Sequence, residues 1–204
     1  MIPVKSFPLM EKELSKREDD NPSIPVTVGI ILAYPRSRFA NDHIISYLPE
    51  YNRRVGKLLN FYMPGYYSDA DCQSPVFSLK GDKYSFDESD YFETIAKLEE
   101  CGLPISESPQ LVLAECHKHK LRFQKKKTII IDLEREYNAG NSVNDIFNQL
   151  IEISKKTIEY SKFRTKYLRQ KHGASVIHFI KKECPGLVLP TLEFVLTHPE
   201  FFAH

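Results

Sequence analysis

The chain has no tryptophan, no CxxC pair and no long apolar run. Each absence removes a class of protein. The four cysteines, Cys72, Cys101, Cys116 and Cys184, stand far apart, which excludes a dense disulfide framework and fits free thiols in a reducing compartment. No segment approaches the roughly 18 consecutive apolar residues of a membrane span, so no membrane partner is expected. The N-terminal stretch MIPVKSFPLMEKELSKREDD is charged after its first ten residues, unlike a secretory leader, and a cytoplasmic location is expected. There is no repeat of fixed period, no low-complexity tract, and no Ser/His/Asp or Cys/His spacing of the kind that nucleophilic catalysis uses. Neither GxGxxG nor a P-loop follows the first apolar run. No cofactor is implied.

What is present is a chain of 204 residues, 42% hydrophobic, enough for one substantial core. Net charge is +1 but uneven: residues 1–100 carry 12 Lys and Arg against 16 Asp and Glu, and residues 101–204 carry 16 against 11. Residues 1–25, interrupted by four prolines, read as a peripheral arm unable to form a core. Residues 26–34 are a continuous apolar run, as in a strand covered on both faces, in which Gly29 is a mild cost. Asn41 and Asp42 are suited to cap a helix whose stripe is Ile44, Leu48, Tyr51 and Val55, with Gly56 closing it. Pro49 predicts a kink there, or a restart with Pro49 in the first turn. A second strand over 57–67 ends in a Pro64-Gly65 turn. Residues 75–86 predict a hairpin about Lys80-Gly81-Asp82. Ser85 to Glu88 resembles a capping box for a helix with Tyr91, Ile95 and Leu98 inside. Residues 110–115 and 127–133 are further strands. Ser142 should cap a long helix ending at Gly173, followed by a second helix up to Pro185-Gly186 and a third near Thr191. The expected fold is α/β: a mixed, mainly parallel central sheet flanked by helices, with residues 26–204 as one domain and 137–204 as a helical C-terminal part packed on it.

Four stretches could carry chemistry. In open α/β sheets ligands sit outside the carboxyl ends of strands. Here those ends supply Tyr34, Arg36 and Arg38 after the first strand and Tyr66, Tyr67, Asp69 and Asp71 after the second. Arginines can fork onto phosphate or carboxylate, and tyrosines can stack on a planar ligand. Glu115, His117 and His119 alternate on one side of an extended chain, a spacing seen in metal sites, but the lysines between them oppose cation binding. A basic stretch, Lys118, Lys120, Arg122, Lys125, Lys126 and Lys127, and a second with Lys162, Arg164, Lys166 and Arg169 interleaved by Phe163 and Tyr167, suit nucleic-acid phosphates. Finally, Asp132 and Glu134 close a strand, where metal-dependent nucleases keep carboxylates, although no acidic partner stands at a telling spacing.

The succession IILAYPRSRFANDHIISYLPEYNRRVGKLLNFYMPGYYSD, with DESDYFETIAKLEECG after it, resembles a group of uncharacterised bacterial α/β proteins associated with defence or stress loci. The likeness covers residues 26–115 and lies in the Pro64-Gly65-Tyr66 strand end and the Phe-x-x-x-Ile-x-x-Leu-Glu helix. Where that group has a Gly-Trp element, this chain has Cys101-Gly102-Leu103. The resemblance implies an accessory role and carries over no functional residues. The expectation is a binding module that engages a protein partner, a second copy of itself or a phosphate-bearing ligand at the loops after the first two strands. Two alternatives stand beside it. One is an enzyme acting on nucleotides or nucleic acid, with metal on Asp69, Asp71 or Asp132. The other is a non-catalytic nucleic-acid binder using the lysines.

Overall fold

A computed structural model describes residues 1–17, 24–55, 59–118 and 120–183. Gly56, His119, Cys184, the Pro185-Gly186 stop and the helix expected near Thr191 lie outside them. The chain divides into two compact units, Met1–Phe163 and Arg164–His204.

The first unit is mixed α/β. Its chain runs β1 (Ile2–Val4), α1 (Phe7–Arg17), β2 (Val26–Leu32), α2 (Arg38–His43), a 3-10 turn (Ile45–Tyr47), α3 (Leu48–Val55), β3 (Asn60–Pro64), β4 (Tyr66–Ser68), β5 (Phe77–Leu79), β6 (Asp82–Phe86), α4 (Glu88–Glu100), β7 (Gln110–His117), β8 (Lys120–Arg122), β9 (Ile129–Asp132), α5 (Leu133–Asn138) and α6 (Val143–Lys156). α7 (Tyr160–Glu183) begins there and continues into the second unit. Gly173 does not end α7. The expected helix breaks instead at Thr157, whose extended backbone closes α6. α5 and α6 belong to the first unit, and the part of α7 from Arg164 onward belongs to the second.

The main sheet has the order β1-β3-β2-β7-β8, with β9 also on β7. It is mixed but not mainly parallel. β1–β3 and β2–β3 are parallel, whereas β2–β7, β7–β8 and β7–β9 are antiparallel. The cause lies in the connection before β7. α4 starts at the carboxyl rim, where Asp87 N–H donates to the Gly65 carbonyl, and its 13 residues descend about 20 Å. Residues 101–109 then run back, with Leu103 buried, and Gln110 enters opposite Leu32 at the same rim. A second small sheet, β4-β6-β5, is formed by the expected hairpin plus β4. Lys80 and Gly81 make its turn, both at positive φ.

Both faces of β2 are covered, which is why its run is apolar throughout. Val28, Ile30 and Leu32 join Tyr62 and Val112 in a core with Met10 and Leu14 of α1 and Tyr91 and Leu98 of α4. The N-terminal stretch is therefore not a loose arm. β1 extends the sheet and Met10 is fully buried; apolar residues at 4, 10 and 14 were enough to anchor so charged a segment. On the other face Phe61 meets Phe147 edge-on, with centroids 5.4 Å apart. Gly29 is more than a mild cost there: a Cβ at this position would stand 2.2 Å from the Phe61 ring. Pro49 does sit in the first turn of a restarted helix, α3. Two expected caps are displaced. Ser37, not Asn41 or Asp42, caps α2 by accepting from Ala40 N–H. Asp87 caps α4 by accepting from Asp90 N–H, because Ser85 is still paired within β6.

Candidate functional site

β2 and β3 are neighbours and co-directional, so Tyr34 and Tyr66 leave the same rim of the sheet. Their surroundings differ from the expected arginine–aspartate cleft. Tyr34 sits against Phe86, Tyr91 and Phe92, with ring centroids 5.6–5.7 Å apart. Its hydroxyl donates to Glu88 at 2.6 Å, and that bond is the main reason its ionisation is pushed up. Arg36 reaches the other oxygen of Glu88 at 3.3 Å. Arg38 pairs with Asp42 on its own helix and is almost fully exposed. Tyr66 is buried, and its hydroxyl donates to the Ala33 carbonyl at 2.5 Å; burial raises its ionisation far above the usual range. Lys5 lies over the Tyr67 ring at 5.3 Å. Asp69 accepts from Ser85 Oγ at 3.1 Å, and Asp71 is exposed in the turn beyond. The structure thus joins Tyr34 and Arg36 through Glu88, while Asp69 serves the small sheet.

The other stretches are likewise accounted for. Asp132 caps α5 by accepting from Arg135 N–H at 2.9 Å and takes a second bond from Ser108 Oγ at 2.7 Å. Both of its oxygens are thereby engaged in holding a turn. Glu115 pairs with Arg122 across β7 and β8. Glu115 and His117 both lie in β7, the next residue, Lys118, is at positive φ, and His119 lies outside the described residues. Among the described residues no group of His, Cys, Asp and Glu could hold a metal ion. Lys118, Lys120, Arg122, Lys125, Lys126 and Lys127 are exposed about the β8 hairpin. Lys162 pairs with Glu159. Phe163 and Tyr167 are buried, so they do not interleave the exposed cations of α7 as stacking platforms. Arg164, Lys166 and Arg169 belong to the second unit. Cys72, Cys101 and Cys116 are free thiols.

A different cleft, of about 250 Å³, opens in the first unit. It is built by the chain that leaves β2 and the chain that leaves β9. β7 is antiparallel to both, and Gln110 lies opposite Leu32 on one side and Asp132 on the other. Both segments therefore depart from one rim. The first segment brings His43 at the end of α2, Tyr47, and then Glu50 and Tyr51 of α3. The second brings Tyr137 of α5 and the first residues of α6, from Ser142 to Asn144.

Local chemistry fixes each wall. The Asn41 carboxamide donates to the carbonyls of Pro35 and Ser37, and Ser46 Oγ donates to the Asn41 carbonyl at 2.7 Å, which holds α2 against the turn that follows it. The His43 ring lies 4.5 Å from that of Tyr137 and 4.7 Å from that of Phe39. The Tyr51 hydroxyl donates to the His43 carbonyl at 3.2 Å, while its ring stacks on Phe147 at 4.5 Å. Burial, and then the charge of Glu50, push the Tyr51 hydroxyl up to about 12. Ser142 and Asp145 exchange bonds across the first turn of α6: Asp145 N–H donates to Ser142 Oγ at 3.1 Å and Ser142 Oγ donates to the Asp145 carboxylate at 2.6 Å. Arg54 bridges α3 and α6, donating to Glu50, to Asn144 at 2.6 Å and to Asn148 at 3.0 Å. Despite this ordered frame, Tyr47 and Tyr137 keep 47% and 42% of their surface in solvent.

Sequence reasoning missed this site because its two halves are some 90 residues apart and neither contains a motif. The available signal is the density of aromatics and histidine in 39–51, of which the buried stripe Ile44, Leu48, Tyr51 and Val55 takes up only Tyr51. Among the described residues no helix is long and apolar enough to cross a membrane. No protein-family model, curated protein or solved structure matches the chain.

Proposed function

We propose that the chain is a binding module whose contact point with a protein partner is the cleft between α2–α3 and α5–α6. The observation that carries this reading is the pair of half-exposed rings, Tyr47 and Tyr137, at a concave site whose walls are locked by Arg54, Asn41 and Ser142. A rigid frame with outward aromatics is the arrangement from which interface anchors are drawn, because a tyrosine offers a large area with little conformational freedom to lose. The engaged carboxylates of Asp132 and Asp69 speak against the metal-dependent alternative. The resemblance to proteins of bacterial defence and stress loci supports seeking the partner among neighbouring proteins of such a locus.

The reading is tested with a photo-crosslinking amino acid placed at position 47, 137 or 92 in the native host. Positions 47 and 137 are expected to trap the same protein. Position 92, an exposed phenylalanine remote from the cleft in sequence, should not. Equal trapping of that protein at 92, or none at 47 and 137, would refute the reading.

A further inference from the structure

We propose that the basic stretch about β8 is a second binding surface, which holds the phosphate backbone of a duplex nucleic acid without reading its bases. It is independent of the cleft. Gln110 starts β7 at the rim where β2 ends, and His117 ends it. The turn between β7 and β8 therefore stands at the other end of the strand, about 24 Å away.

Three observations carry this. First, charge is concentrated there against the balance of the chain. Residues 115–128 hold six Lys and Arg and one carboxylate, whereas the remaining residues hold 22 Lys and Arg against 26 Asp and Glu. That carboxylate, Glu115, is taken by Arg122 at 3.3 Å. Lys118, Lys120, Lys125, Lys126 and Lys127 are all exposed. Such a patch raises the local concentration of a polyanion even where net charge is near zero. Second, the cations stand on a fixed frame. Lys118 sits in the two-residue turn that joins β7 to β8. Leu121 packs on the core, so Lys120 and Arg122, its neighbours in β8, leave from the opposite side of the strand. The three consecutive lysines lie in a closed turn. The Gln124 carbonyl accepts from the N–H groups of Lys127 and Thr128 at 2.8 and 2.7 Å, and Gln124 N–H donates to Thr128 Oγ1 at 3.0 Å. The buried Tyr160 anchors that turn by donating to the Lys127 carbonyl at 2.7 Å. Glu159 beside it is itself held by Lys162 at 2.7 Å. A frame of this kind has little backbone freedom left to lose on binding.

Third, the side chains select the partner. The arginine fork suits carboxylates, and the one arginine here already serves Glu115, whereas lysine is a point charge that suits phosphate. Cations spread from position 118 to 127 match a repeating anion better than one phosphate. Single strands are held by stacking on exposed rings, but the one phenylalanine or tyrosine of the stretch, Phe123, is half-buried and lies 6.1 Å from Phe7. Membrane-surface segments insert apolar side chains, and here Leu121 and Phe123 pack on the core instead. A duplex backbone fits all three.

The test uses the full chain in anisotropy titrations with a duplex DNA of about 20 base pairs, the duplex RNA of the same sequence and one strand alone, and in co-sedimentation with phosphatidylserine vesicles. A duplex is expected to bind with a Kd on the order of 10⁻⁴ to 10⁻⁶ M at physiological salt, and log K should fall with log salt at a slope of about −3 to −5. Scrambling the sequence should leave the affinity unchanged. Lys120→Gln/Lys125→Gln should flatten the slope by about 2 and weaken binding at least about tenfold at about 0.1 M salt. Lys120→Arg/Lys125→Arg should retain both. Lys80→Gln/Lys83→Gln, exposed in the β5–β6 hairpin, should stay within about twofold of the parent. Binding of either duplex supports the proposal, and the tighter of DNA and RNA names the source. No duplex binding at about 50 mM salt, or equal losses in the two glutamine variants, would overturn it. So would a single strand that binds more tightly than the duplex, or vesicles that bind through Lys120 and Lys125 where the duplex does not.

Discussion

Gly29→Ala will lower the stability of the first unit by about 3 kcal/mol, near the upper end of what overpacking a filled core costs. The Cβ would stand 2.2 and 2.5 Å from two carbons of the Phe61 ring and 3.4 Å from Leu111. Phe61 is fully buried and meets Phe147 edge-on at 5.4 Å, so its ring must displace packed neighbours to make room. Backbone strain contributes nothing here, since Gly29 lies within the extended β2; the entire effect is steric. Alanine would otherwise help a strand slightly, which makes the sign of the result informative. For a unit of this size the loss corresponds to a drop in Tm of roughly 6–12 °C by calorimetry. A melting temperature within a degree of the parent would mean that the ring of Phe61 does not cover β2 as described.

Phe147→Ala carries an expected cost of about 3–5 kcal/mol, from lost burial and from the cavity left behind. Phe147 is 1% exposed, stacks on Tyr51 at 4.5 Å and stands edge-on to Phe61. It is thus the point where the sheet, α3 and α6 meet, and it supports Tyr51 from behind. Phe147→Leu retains most of the volume and should cost under about 1.5 kcal/mol. Urea unfolding followed by far-UV circular dichroism measures both, the midpoint falling much further for alanine than for leucine. Equal midpoints for the two variants would contradict a tightly packed ring at this position.

The elements that sequence reasoning located are those whose signal is local. The apolar run of β2, the restart at Pro49, the Lys80-Gly81 turn and the Ser142 cap each depend on a few consecutive residues. What it missed depends on where distant segments go. The direction of β7 follows from the return path over 101–109, which has no periodicity of its own. The anchoring of α1 depends on Met10 and Leu14, two buried residues within a charged stretch. The need for Gly29 arises from Phe61, on the neighbouring strand. The proposed rim site shows the same limit. That β2 and β3 run side by side was inferable, and they do. That Glu88 would take both Tyr34 and Arg36 was not, because α4 reaches the rim only after the small sheet has formed. The cleft is less legible still, since His43 and Tyr137 meet only because β2 and β9 end at one rim with β7 between them.

The central claim is that recognition takes place at the tyrosine cleft and not at the arginine rim. It is tested most directly by calorimetric affinities of the purified, crosslink-identified partner for three chains: the parent, Tyr47→Ala/Tyr137→Ala, and Arg36→Ala. The account predicts at least a tenfold loss for the double variant at unchanged Tm, and an affinity within twofold of the parent for Arg36→Ala. Full affinity in the double variant together with loss in Arg36→Ala would contradict it.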